Sequence, residues 1–150
     1  MDRERLAAEM DCEFDHLRRL AGQAEELARV PSAERRPWDA AAAAKYLADL
    51  SLGLENLCKR RYVYLRTSVP QGFDSHSRIL ADFLAEPLLG RQLAPDTARN
   101  LKKYLAFRHR FIHGYGHEVD WTMVEEPLRL LPDMVKILIS VWQAWLEKTA

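Results

Sequence analysis

The sequence predicts an all-α fold: an up-and-down helical bundle of four long helices plus a short one, in one domain over residues 1–150. Three observations predict it. Four stretches carry apolar residues at steps of three and four, the spacing of one helix face. Six of the seven prolines, and most glycines, fall between those stretches or near their starts. No stretch sustains the period-two alternation of a half-buried strand. A chain of 150 residues buries about 70% of its unfolded surface, so one core suffices without disulfides or metal.

The first helix is expected over about Asp2 to Val30, with Leu6, Met10, Phe14, Leu17, Ala21, Ala24 and Ala28 on one face. Pro31 and Pro37 bound a short polar connector. The second helix runs from about Trp38 to Arg66. The run Ala40–Ala44 strengthens it, and Ala43, Leu47, Leu50, Leu54, Leu57, Arg61 and Tyr64 form a heptad-like stripe. Thr67–Asp74 is rich in turn residues, and a short helix follows from about Ser75 to Ala85. The fourth helix starts at Pro95 or Asp96 and reaches about His113, where Gly114 and Gly116 stop it. The last segment opens at Asp120, an N-cap residue, and steps through Leu128, Leu131, Val135, Leu138, Trp142 and Trp145. Pro127 and Pro132 fall inside it. A kink or break is expected at Pro132, with the long helix starting there.

Hydrophobic residues make up 48% and charged residues 29%, which excludes a disordered tail. Two cysteines, Cys12 and Cys58, are too few for a disulfide scaffold or a zinc site and are expected to be reduced and packed. The first residues alternate in charge without an apolar run, so no signal peptide is expected; the reading is a cytoplasmic protein with no membrane segment. Twenty-two basic residues balance 22 acidic ones, which argues against a broadly basic nucleic-acid binder. The balance is uneven along the chain. Residues 95–115 carry net +4 and residues 38–70 net +2, against −2 on residues 1–37 and −3 on residues 116–150. The positive charge concentrates on the fourth helix and the end of the second, which would present one basic surface if they are neighbours. The competing reading is a pair of solvated faces.

The fourth helix carries the most suggestive chemistry. With Leu101 at the centre of a face, Ala98, Tyr104, Leu105 and Ile112 fall within about 60° and Phe111 about 80° away; Arg108 lies at about −20°, inside that apolar stripe. Lys102, Arg99, Arg110 and Lys103 take the solvent side, and His109 and His113 stack one turn apart at the boundary. A guanidinium among apolar groups needs a partner or a cavity. One account is a buried or interface arginine paired with a carboxylate such as Glu55, flanked by half-buried histidines. The other is a site, because two histidines beside it exchange protons near neutral pH. Metal ligation by the His pair lacks a third ligand, since His117 and Glu118 lie beyond the turn. No metal and no cofactor is expected.

Arg108-His-Arg-Phe-Ile-His113-Gly-Tyr115, followed by Val119-Asp-Trp121, resembles the Arg-x4-His-x-Tyr motif of the HepT toxins within the HEPN superfamily. A second pair, Arg110 and His117, has similar spacing, but only Arg108 lies on the buried stripe with its histidine closing the helix. The stretch Tyr46–Leu57, including Glu55 and Asn56, is similar to the family's second helix, and Ser75–Leu80 to its short third helix. The resemblance covers most of residues 38–150.

That resemblance implies a HEPN-like bundle and a metal-independent endoribonuclease, the toxin of a toxin–antitoxin pair whose antitoxin is a minimal nucleotidyltransferase. It implies an RNA substrate, transfer RNA or messenger RNA, and a homodimer paired across this helix. The residues suit that chemistry. RNA supplies its own nucleophile, the 2′-OH, and cleavage needs a base, an acid and positive charge on the phosphorane. His113 is assigned to acid–base work, Arg108 to the phosphate, and His109 to orientation or a second proton role; Lys102, Lys103 and Arg110 would hold flanking phosphates. Arg108 and His113 are about 140° apart on an ideal helix, so either the helix unwinds before His113 or a second copy completes the site. Tyr115 has three readings: a packed aromatic after a glycine turn, a platform for a base, or, by the resemblance, the tyrosine that the antitoxin modifies with AMP. The alternative function is a non-catalytic helical module that binds a nucleotidyltransferase or a nucleotide. His16 and His76 are expected on helix surfaces or at caps, although His76 could approach the site through the short helix. Trp142 and Trp145 are expected as core or interface anchors.

Overall fold

The computed structural model describes residues 1–149, without the side chain of Ile112 or the surroundings of Gly116. Five helices account for the architecture: α1 (Arg3–Ala28), α2 (Pro37–Tyr64), α3 (Ser75–Ala85), α4 (Pro95–His113) and α5 (Trp121–Lys148). Among the described residues 81% are helical and none is in a strand. The fold is therefore the all-α bundle of four long helices and a short one.

Local chemistry sets the helix ends. Asp2 caps α1, its carboxylate accepting from the Arg5 N–H at 2.8 Å. Pro37 and Pro95 occupy the first turns of α2 and α4, where a missing N–H costs nothing. Helix α2 stops without a glycine. Arg66 takes a left-handed conformation, φ 55°, so that its own N–H bonds Val63 and the Thr67 N–H reaches back to the Tyr62 carbonyl at 3.0 Å.

Helix α2 lies at the centre, packed against α1, α4 and α5, while α5 also packs along α1 and the short α3 lies against α2 and α4. The apolar stripes read from the sequence meet there. Leu6, Met10, Phe14 and Leu17 of α1 face Ala43, Leu47, Leu50, Leu54 and Leu57 of α2, and all are buried. Leu101 and Tyr104 bring α4 into the same core; the Ile112 side chain, expected on that stripe, lies outside the described residues. Trp142 is fully buried, stacked on Phe83 at 5.8 Å and edge-on to Trp145 at 5.6 Å.

Helix α5 corrects one expectation. It runs unbroken for 28 residues through both Pro127 and Pro132. Each interior proline removes one ladder bond and costs about 3 kcal/mol in an isolated helix. Burying each of Leu128, Leu131, Val135 and Leu138 on one continuous face contributes about 1.5–3 kcal/mol. Tertiary packing outweighs the local cost, so the helix does not restart at Pro132. Among the described residues no helix is long and apolar enough to cross a membrane.

Candidate functional site

Helix α4 packs on α2 with Arg108 facing inward, as its place on the apolar stripe requires. Its side chain is only 15% exposed, and its Nη1 lies 3.2 Å from Oε2 of Glu55, itself 7% exposed. The partner expected for a buried guanidinium is thus present. Glu55 collects two further groups. Lys59 Nζ, one turn along α2, lies 2.6 Å from Oε1, and His76 Nδ1, from the start of α3, lies 2.5 Å from Oε2. His76 Nδ1 is also 2.6 Å from Arg108 Nη1. Burial pushes the Glu55 carboxyl up, but the hydrogen bonds and positive charge of Lys59 and His76 outweigh it and hold the group below the ordinary carboxylate range. One buried carboxylate therefore anchors groups from three helices.

Beside this cluster lies an open groove of about 500 Å³, lined by Phe73, His76, Lys102, Arg108, His109 and His113 among others. Arg108 and His76 form part of its wall next to α2. His109 and His113 are exposed one turn apart, with ring centroids 4.7 Å apart. Lys102 and Arg110 are exposed and also line it, whereas Lys103, exposed on α4, does not. The groove thus gathers cations and proton carriers, the residue types that bind a phosphodiester and move its protons. Below it, a cavity of about 20 Å³ between α2, α3 and α4 is walled mainly by Leu50, Leu54, Ile79, Leu101 and Tyr104, which keeps the inner side of Glu55 and His76 apolar.

Helix α4 remains helical through His113 and closes when the Gly114 N–H reaches the Arg110 carbonyl at 2.8 Å. It does not unwind before His113, yet Arg108 and His113 line the same groove, so the expectation that sharing it requires unwinding or a second copy is corrected. A Cβ on Gly114 would lie 2.8 Å from the Arg110 carbonyl oxygen, so this close approach needs glycine. Of the three readings of Tyr115, the packed aromatic does not hold: the side chain is 71% exposed, and its ring lies nearly parallel to that of His117 at 5.5 Å. The turn Gly116–Glu118 after α4 presents the ring to solvent instead of folding it back on the bundle.

Two site features were legible only in part. His76, expected on a helix surface or at a cap although the short helix could bring it to the site, is part of the Glu55–Arg108 cluster. The only sequence signal was its place at the head of the short helix, since the apolar face of α3 is set by Ile79, Leu80 and Phe83. The basic end of α2 also differs from expectation. Although α2 and α4 are neighbours, Lys59 serves Glu55, Arg60 serves Glu9 and Glu13, and Arg61 meets Glu86 at 2.9 Å. Carboxylates engage these charges, so the two helices do not merge into one open basic face. Among the described residues no group of three or more His, Cys, Asp or Glu side chains is placed to hold a metal ion.

A model of the family described as "HepT-like protein" matches residues 42–149, more than two thirds of the chain. No match is found among curated proteins or solved structures.

Proposed function

We propose, for a chain that belongs to the HepT-like protein family, the function of a HEPN-type ribonuclease toxin. The observation that carries this reading is the groove in which Arg108, His109 and His113 come together with Lys102 and Arg110. Arg108 binds the scissile phosphate and stabilises the charge that develops on it, through paired guanidinium donors. His113 exchanges the proton of the 2′-OH or of the leaving 5′-oxygen, with His109 orienting it or carrying the second proton. Lys102 and Arg110, which line the groove, bind flanking phosphates. Arg108 and His113 line one groove of a single chain, and the homodimer that the family resemblance implies would bring two such grooves together across α4. Tyr115, exposed two residues beyond His113, is the site at which a minimal nucleotidyltransferase antitoxin attaches AMP; the added bulk and negative charge keep RNA phosphates from the groove.

The test is incubation of purified protein with total RNA, without added metal, followed by mapping of the new ends. Arg108→Ala and His113→Ala should each lower cleavage by at least about 100-fold, the scale of a lost proton carrier or charge stabiliser. An undiminished rate in either variant sinks the assignment. The second reading, a helical module that binds a nucleotidyltransferase or nucleotide without cutting RNA, draws on the Arg108–Glu55 ion pair, which gives the arginine a structural reason to be there. Under it, wild type leaves RNA intact while capture of the nucleotidyltransferase persists in both variants.

A further inference from the structure

His76 Nδ1 has one lone pair or one hydrogen, never both, yet it touches two groups that ask opposite things of it. Glu55 Oε2, at 2.5 Å, only accepts; Arg108 Nη1, at 2.6 Å, only donates. We propose that His76 is a positioning residue for Arg108, and that its proton decides whether the guanidinium is held against Glu55 or released to meet phosphate. This rests on the reading of Arg108 as the phosphate-binding group.

Two arrangements satisfy the atoms. With Nδ1 unprotonated, the two hydrogens of Arg108 Nη1 divide between Nδ1 and Glu55 Oε2, 3.2 Å away, and the guanidinium is clamped to α2. With both ring nitrogens protonated, the imidazolium donates from Nδ1 to Glu55 itself. Arg108 then loses one acceptor, shares the other, and faces a second positive charge, so its hold on α2 weakens. Charged and titratable groups face His76 from each neighbouring element. From α2 it faces Glu55, whose second oxygen is held by Lys59; from α4 it faces Arg108, with Lys102, His109, Arg110 and His113 along the same groove. In its own segment, Asp74 pairs with Arg78 at 3.8 Å. His76 is 41% exposed, so solvent reaches it for proton exchange, while Glu55 is buried and stays in place. A phosphate entering the groove gives the released guanidinium a new acceptor.

The experiment measures binding of a single-stranded 2′-deoxy oligonucleotide, which lacks the internal nucleophile, at constant ionic strength from pH 8 to pH 6. His76→Gln is the informative variant, because its amide donates to Glu55 and accepts from Arg108 at every pH. Titration of His109 and His113 is common to wild type and variant and cancels in the comparison. Wild type should gain about tenfold more affinity than His76→Gln as pH falls, a coupling of ordinary allosteric size. The excess should vanish when both proteins also carry Arg108→Gln, since His76 is to act through Arg108. Equal pH dependence in wild type and His76→Gln overturns the proposal. So does an excess that survives Arg108→Gln, which would mean His76 attracts the oligonucleotide by its own charge, and so does an absence of binding by wild type. RNA cleavage, assayed alongside, decides the ribonuclease reading separately: proton-linked binding without cleavage keeps the role of His76 and removes the enzyme.

Discussion

Glu55 is where a single side chain governs the candidate site. It is buried, and Lys59, His76 and Arg108 all converge on it. Its carboxyl titrates below the ordinary range because hydrogen bonds and cations outweigh the burial that would raise it. A depressed folded-state pKa stabilises the protein above the unfolded value, and that stability is lost as pH falls through the folded one. Glu55→Gln should therefore destabilise the protein at pH 7 by on the order of 1–3 kcal/mol, leaving a half-buried guanidinium without its counter-charge. The gap should shrink in acid, at a pH below the ordinary carboxylate range, as wild-type Glu55 also becomes neutral. Urea midpoints of both proteins at the two pH values check it, and a gap independent of pH would show that the charge is not what matters. Arg108's need for a partner, and Glu55 as that partner, were legible in the sequence because a cation on an apolar stripe is a conspicuous cost. His76 was legible only as a residue that the short helix could bring near, because nothing in a linear pattern says that it will meet groups 21 and 32 positions away.

At the scale of elements, helix identity follows periodicity, whereas continuity follows packing. Local grounds predict a kink or break at Pro132 with the long helix starting there, and the buried face of α5 instead carries one helix from Trp121 through it. The link from α3 to α4 shows the converse, a tight constraint invisible to periodicity. A Cβ on Gly90 would lie 2.2 Å from the Leu84 Cα and 2.5 Å from the Phe83 carbonyl oxygen, both backbone atoms that cannot rotate away. Gly90→Ala should destabilise the fold by about 1–3 kcal/mol through forced movement of the end of α3. Thermal denaturation tests this, and an unchanged midpoint would show that the turn opens freely. Because Phe83 stacks on Trp142, the disturbance should reach the core and be visible in tryptophan fluorescence.

At the scale of the molecule, the zero net charge is a sum of opposed regions. The +4 of residues 95–115 lies on α4, beside the groove, and the charges ending α2 are engaged by carboxylates. A local cationic groove on an otherwise acidic protein suits selective phosphate recognition over a broad electrostatic footprint. The proposed twofold assembly makes a sharp prediction. If each site takes Arg108 from one protomer and His113 from the other, mixing inactive Arg108→Ala with inactive His113→Ala rebuilds one intact site in every mixed dimer. Random pairing should restore roughly a quarter of wild-type RNA cleavage. No recovery in a mixture shown to exchange subunits would place both residues of a site in one chain.

The sequence by itself determined the helices, their buried faces, the family motif and the misplaced charge of Arg108, because each is written in spacings of three and four or in the cost of burying a guanidinium. Tertiary structure alone decided that α5 runs through its prolines, that Tyr115 faces solvent, that carboxylates engage the basic end of α2, and that His76 joins Glu55 and Arg108. The physical reason is common to all four. Each outcome depends on groups brought together from distant parts of the chain, or on a packing energy summed over a whole face, and neither quantity has a local signature.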